Sequence, residues 1–393
     1  MKFNFFYITS ILVIFLFPLT GFGIDIGFKL IPIYVYVIIL MPIIFLLKNI
    51  KIRFITPFEY SFIIFYLLSI IFVIYSEYYY YSLRYLLGIS LVVTTYFLSR
   101  TWVSNARVSF DKIFYTSAVI FLSFTVIYYV LGLFFMDRSQ EHVKYFGVLI
   151  EKGVPRLIGL GSDPNITAFL LIFFVFYFLF LKGTINRLIC LVSFFCLLLT
   201  LSRGGMISLI IGFLGVLLLS SAKNILKITS SILLLLFILV ILGYYNFDSI
   251  EPFLKARFSG LTTGAGRFEI WSKALYLFLD DPYLGHGTFS FRNAMYEEFS
   301  MARFAHNTYI EILIEMGIVG LFVFLFCCLS FLTLSFKMAR KCDSCRFLFP
   351  VSLSSFIGIL GLSLYINVAF FYLILVHSLY YLDLFDCRGI HRI

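Results

Sequence analysis

The sequence predicts an all-helical, polytopic integral membrane protein of about twelve transmembrane helices, with a large loop between helices nine and ten. Three observations carry that expectation. Of 393 residues, 62% are hydrophobic and only 13% charged, against about 45–50% and 25% in soluble globular domains. Mean hydropathy is +1.03. Apolar runs near the roughly 20 residues that a spanning helix needs recur along the chain. Together these exclude a water-soluble enzyme, a disordered chain and a coiled coil.

In order, the spans fall at 3–20, 30–47, 58–75, 83–99, 112–135, 165–181, 185–201, 204–221 and 225–245, and, after a polar interval, at 307–335, 347–365 and 368–382. The first has Lys2 ahead of it and no A-x-A-like site behind it, so it reads as a retained anchor rather than a signal peptide. The run from Phe347 to Leu382 would make a single helix of about 54 Å, too long for a hydrocarbon core of about 30 Å. It is therefore split near Asn367, although no strong turn signal marks the break. The resulting segments are 1–135 with helices one to five, an outer loop at 136–164, 165–245 with helices six to nine, a large outer loop at 246–306, and 307–393 with helices ten to twelve and a tail.

With the N-terminus inside, the inner connections hold 17 of the 30 Lys and Arg residues and five of the 20 acids, a balance of +12 inside against −2 outside. That asymmetry is the positive-inside pattern, and both termini come out cytoplasmic. The net charge of +10 thus faces anionic lipid, and nucleic acid is not expected as a partner. Tyr78 to Tyr81 at an outer boundary fit an interfacial aromatic belt. No cysteine falls in an outer loop, so a disulfide framework is not expected. Cys342-Asp-Ser-Cys345 is a lone CxxC with no second pair.

Polar residues gather at the outer face. There is no P-loop, no GxGxxG and no HExxH, so nucleotide-driven chemistry has no support. The loop 246–306 has six basic and seven acidic residues. Within it, Phe268, Trp271, Leu275 and Phe278 share one face of an amphipathic helix suited to the membrane interface, and Asp280-Asp-Pro282 ends it. At His306-Asn307-Thr308-Tyr-Ile-Glu311, Thr308 and Glu311 form a candidate capping box, with His306 and Asn307 just outside the first turn. A helix N-terminus there suits a phosphate. Glu311 and Glu315 lie one turn apart on a span, where carboxylates are costly. Catalysis and structural pairing with Arg267 or Arg303 are both open for them.

Ser202-Arg203-Gly204-Gly205 forms an outer turn between two spans. Anion binding by Arg203 is favoured over simple snorkelling, because a guanidinium suits bidentate phosphate recognition. Asp163 with Pro164 reads as N-cap and N1 of the sixth span. Arg156 is open, and His142, His286 and His377 have no partners at metal-ligand spacing.

The SRGG turn, the late outer loop and His306-Asn307-x9-Gly317-x-x-Gly320 resemble the O-antigen polymerase and O-antigen ligase superfamily, most strongly over 156–335. Arg156 to Asn165 and the 51 Phe and 27 Tyr look more like the polymerase branch. The resemblance implies a glycosyltransferase of the bacterial inner membrane that works without metal or cofactor, with its active site on the periplasmic face. Its substrates would be undecaprenyl-diphosphate-linked oligosaccharides as donor and acceptor, its partners membrane lipid, a chain-length regulator and a flippase. Arg203 and Arg267 would bind the diphosphate, with Arg156 a further candidate, and His306 would activate or position the acceptor hydroxyl. Glu311 and Glu315 are the other catalytic candidates, and Asn307, Ser202, Gly204 and Asn165 the supporting residues. A ligase carrying the glycan to lipid A-core is the alternative within the family. A lipid-linked glycan flippase is the alternative outside it, but no internal repeat supports a transporter.

Overall fold

A computed structural model describes residues 5–19, 23–25, 30–32, 55–106, 108–137, 139–140, 142–151, 153–220, 266–365 and 367–388. Most of the expected span 30–47, the spans 225–245, the loop stretch 246–265 and the last five residues lie outside them. The described helices are α1 (Phe5–Leu16), α2 (Pro57–Ile74), α3 (Tyr79–Ser104), α4 (Phe110–Phe135), α5 (Pro164–Phe180), α6 (Thr184–Leu199), α7 (Arg203–Leu218), α8 (Arg267–Asp280), α9 (Phe291–Phe299), α10 (Thr308–Lys341), α11 (Leu348–Gly358) and α12 (Val368–Arg388). Among the described residues, five helical segments are long and apolar enough to cross a bilayer: α2, α3, α4, α10 and the stretch Asp343–Gly361 that contains α11. Five more are apolar but shorter. The described residues are mostly helical, consistent with a polytopic membrane protein.

The all-helical expectation needs one correction. Short strands pair as β1 (Gly23–Asp25) with β2 (Leu30–Pro32), both antiparallel, so the start of the expected span at 30 is strand. In the expected outer loop 136–164, β3 (Lys144–Tyr145), β4 (Val148–Glu151) and β5 (Val154–Leu157) make an antiparallel sheet with Leu149 opposite Arg156. These strands are two to four residues long, too short to carry a readable alternation.

Two helices are apolar all round and form the middle of the molecule, as an all-apolar surface requires. In α12 every residue from Ala369 to Leu382 is buried, and in α5 every residue from Thr167 to Phe178. The break ahead of α12 is where the sequence placed it. Asn367 is its cap, accepting from the Ala369 N–H at 2.9 Å. His377 is a satisfied core histidine, bonded at Nδ1 to the Leu373 carbonyl (2.9 Å) and at Nε2 to Ser352 Oγ (2.8 Å).

Close packing sets the remaining helices. A Cβ at Gly212 of α7 would lie 2.1 Å from Ser354 Oγ of α11 and 2.4 Å from the Phe176 ring of α5, so only glycine lets these three approach. At the opposite end from the large loops, Glu59 of α2 and Arg100 of α3 form a buried ion pair at 2.6 Å. Ser378 of α12 bonds both, at 2.9 and 3.0 Å. Such a pair contributes little net stability, but breaking it strands a buried charge, so it registers three helices against one another.

Candidate active site

Four helices begin at one end of the bundle, and their first residues build the site. α5 starts at Asp163, whose Oδ1 accepts from the N–H groups of Asn165 (2.7 Å) and Ile166 (3.3 Å). This is the N-cap with Pro at N1 that the sequence predicts. α7 starts at Ser202, whose Oγ accepts from the Gly205 N–H at 3.1 Å and donates to Asn165 Oδ1 at 2.8 Å. Asn165 and Ser202 thus tie two helix N-termini together.

Arg156 lies behind that link, 4% exposed. It pairs with Glu151, donates from Nε to the Thr200 carbonyl at 3.0 Å and reaches Asn165 Oδ1 at 3.4 Å. Its charge is matched within the fold, so its place is that of a brace for the 200–202 turn rather than of a third anion contact. The turn itself is made by Leu201 at φ 51, not by the two glycines, which already belong to α7. Gly204 has open space at its Cβ position, whereas a Cβ at Gly205 would lie 2.7 Å from Ala168 Cβ. Gly205 is the glycine that packing demands.

Arg203 is the first residue of α7 and Arg267 the first of α8, which follows Gly266 at φ 80. Both are half-buried, and neither forms a hydrogen bond or ion pair with another described residue. Arg267 Nη1 lies against Gly361, where a Cβ would be 3.4 Å away. Burial and then the charge of Arg203 lower the pKa of Arg267, and Asp163 opposes them. Two guanidinium groups are therefore held against mutual repulsion, with Asp163 the one carboxylate in range among the described residues. That arrangement favours an arriving anion, and the partial positive charge of the helix ends adds to it.

His306 is exposed, takes a left-handed φ of 50, and immediately precedes α10. Its pKa is lowered from the ordinary 6.5, first by the water displaced by protein atoms around the ring and then by the Arg267 charge, with Asp163 pulling the other way. That direction favours the neutral imidazole, the form able to accept a proton.

The expected capping box is not what starts α10. Asn307 is the N-cap, accepting from the Tyr309 (3.0 Å) and Ile310 (3.2 Å) N–H groups. Thr308 is inside the helix and bonds outward instead. It donates from Oγ1 to the Leu362 carbonyl at 2.7 Å and accepts from the Leu364 N–H at 3.0 Å. Thr308 thereby keeps 362–364 non-helical.

The two glutamates do not pair with Arg267 or Arg303. Glu311, 3% exposed, accepts from the Ala305 N–H at 3.0 Å and from Ser363 Oγ. Glu315, 4% exposed, accepts from the Phe291 N–H at 3.2 Å and from the Tyr365 hydroxyl.

The glycine spacing after His306-Asn307 has a physical reason. α10 is kinked at Gly317, with φ 60 and ψ −165, a conformation essentially restricted to glycine. The loop 282–286 enters the kink. Ile318 donates its N–H to the Pro282 carbonyl (2.9 Å), and the Ile314 carbonyl accepts from the His286 N–H (3.0 Å).

The predicted helix in the late loop is present as α8, but its faces differ from expectation. Ile270, Ala274 and Leu277 are buried, with Trp271 and Phe278 packed beside them. Phe268 (55%), Leu275 (51%), Tyr276 (53%) and Leu279 (73%) are the exposed apolar residues. Trp271 donates from Nε1 to the Ala305 carbonyl at 2.9 Å.

Asp163 as a site carboxylate, Ser363 and Tyr365 have no spacing signal in the sequence, because each meets the site through tertiary contact; the spacing of Trp271 marks it only as part of an amphipathic face. Among the described residues, no three His, Cys, Asp or Glu side chains gather to hold a metal ion.

Residues 188–325 match the family model described as O-Antigen ligase. The chain thus carries a domain consistent with the O-antigen polymerase and ligase superfamily, a family of glycosyl-transferring membrane enzymes. The matched stretch runs from α6 into α10 and holds Ser202, Arg203, Arg267, His306, Asn307, Glu311, Glu315 and both motif glycines. Arg156, Asp163 and Asn165 lie ahead of it. No curated protein matches the chain.

Proposed function

We propose that the protein polymerises undecaprenyl-diphosphate-linked oligosaccharide repeat units on the periplasmic face of a bacterial inner membrane. The observation that carries this is the pair Arg203 and Arg267, each the first residue of a helix, without an ion-pair partner among the described residues and beside the exposed His306.

The acceptor sugar hydroxyl attacks the anomeric carbon of the donor. The new C–O bond forms as the anomeric bond to the diphosphate breaks, and the electron pair leaves on the phosphate oxygen. The two guanidinium groups and the helix N-termini stabilise that departing charge where it develops. His306 takes the hydroxyl proton. The donor is already activated by its diphosphate, so the step asks for no nucleotide.

A ligase reading, in which the acceptor is lipid A-core, is favoured by the description of the matched family model. The same residues would serve it, since donor and leaving group are unchanged. A lipopolysaccharide gel from a deletion strain separates the two. Loss of a polymerase leaves core bearing a single repeat, and loss of a ligase leaves bare core.

A further inference from the structure

We propose that Trp271 and Glu311 are positioning residues. They grip the backbone of Ala305 from its two sides and so set the His306 imidazole against Arg267. The proposal rests on the reading of His306 as the group that takes the acceptor proton.

Ala305 is fully buried, and both of its backbone polar groups are taken by side chains. Its N–H donates to Glu311 Oε1 at 3.0 Å, and its carbonyl accepts from Trp271 Nε1 at 2.9 Å. On the other side of His306, Asn307 is fixed as the cap of α10. His306 thus lies between two immobilised neighbours, at a φ of 50. A non-glycine residue holds such a conformation only where its surroundings over-determine it.

The clamp returns to Arg267. Trp271 follows Arg267 by one turn on α8, so the two share a face. Glu311 is held in turn by Ser363, two residues beyond Gly361, and Gly361 is the residue against which Arg267 Nη1 lies. Arg267, Trp271, Ala305, Glu311, Ser363 and Gly361 therefore form a closed ring of contacts with His306 mounted on it. A shift of α8 moves the anion-binding guanidinium and the proton acceptor together. Glu311 then acts through the backbone of Ala305 rather than on substrate. The charged groups facing His306 are Arg267 on α8 and Asp163 ahead of α5, with Arg203 of α7 beyond Arg267.

The test uses the full-length protein in detergent and two independent readouts. One is the pH midpoint of His306 modification by diethyl pyrocarbonate, which attacks neutral imidazole, resolved from the other histidines by peptide mass spectrometry. The other is kcat and KM for polymerisation of a lipid-diphosphate-linked single repeat. Trp271→Phe keeps the ring and removes the donor. Glu311→Ala removes the acceptor, and Glu311→Gln keeps an acceptor oxygen.

Trp271→Phe and Glu311→Ala should raise the His306 midpoint towards the unperturbed 6.5 and lower kcat, with a loss of about 10²-fold typical of a misplaced group. KM should stay near its native value, and Glu311→Gln should restore both midpoint and rate. An unchanged midpoint in Trp271→Phe and Glu311→Ala overturns the clamp. So does a dead Glu311→Gln with a native midpoint, which would make Glu311 itself the proton carrier. If the midpoint shifts as expected while His306→Gln turns over normally, the clamp stands and the reading of His306 as base falls.

Discussion

Arg203 and Arg267 are the residues on which the anion reading turns, because neither has an ion-pair partner among the described residues. Arg203→Ala and Arg267→Ala should each abolish or strongly reduce product at unchanged protein level. Arg→Lys should rescue poorly, since a single ammonium cannot reproduce bidentate contact. Arg187→Ala, in the first turn of α6 at the other end of the bundle, should be mild in the same assay. His306→Ala should retain donor binding and lose about 10²–10⁴ in rate, the range for a removed acid–base group. The pH dependence has a definite sign. A base must be unprotonated, and the displaced water and Arg267 hold the His306 pKa below 6.5. The acid limb of kcat/KM should therefore fall below pH 6.5, with little change above neutrality. Asp163→Asn removes the one carboxylate opposing that shift and should move the limb lower still.

At the scale of elements, the kink in α10 joins motif and loop. Gly317→Ala must place a Cβ 2.1 Å from the Tyr283 carbonyl at a φ of 60. The backbone conformation alone costs about 1–3 kcal/mol in a non-glycine residue, before the collision is counted. Thermal unfolding in detergent should show a clear loss. Gly88→Ala in α3, with nothing within 4 Å of its Cβ position, should leave stability unchanged or slightly raised. The elements that were legible in the sequence are those whose signal is local. The α10 spacing from His306 to Gly320 and the Asp163-Pro164 cap lie within one stretch of chain. Trp271 and Ala305 are 34 residues apart, and Glu311 and Ser363 are 52. Hydropathy identifies spans but not which spans are neighbours, so neither contact could be read. The same limit applies to α12. A helix apolar on every side has no face to announce its place, and the span that was hardest to delimit proved to be among the most buried. The Thr308–Glu311 pattern misled because Asn307, one residue earlier, offers a better cap, which releases the Thr308 hydroxyl and the Glu311 carboxylate for other partners.

For the whole molecule, helix directions place the segments 137–163 and 266–307, expected to be outer, at one end, and the described basic stretches 182–187 and 337–346 at the other. Two hydrogen bonds tie α2 and the turn after it to the segment 266–307: Tyr78 Oη donates to Glu297 at 2.8 Å and Thr288 Oγ1 to the Ser69 carbonyl at 2.9 Å. At the opposite end the Phe110 N–H donates to Asp383 at 2.6 Å. After the native cysteines are removed, a cysteine at exposed Ala302 should react with an impermeant maleimide in cells whose inner membrane is intact. One at Ser344, in the other set, should react only after permeabilisation. The reverse pattern would invert the topology. The central claim is transfer from a lipid diphosphate at the Arg203–Arg267–His306 site, and reconstitution tests it most directly. Purified protein is given undecaprenyl-diphosphate-linked single repeats as donor and acceptor, and product length and free undecaprenyl diphosphate are measured. The account predicts a ladder of lipid-linked oligomers, with one undecaprenyl diphosphate released per linkage, and loss of both in Arg203→Ala and Arg267→Ala. A ladder undiminished in those two variants would contradict it.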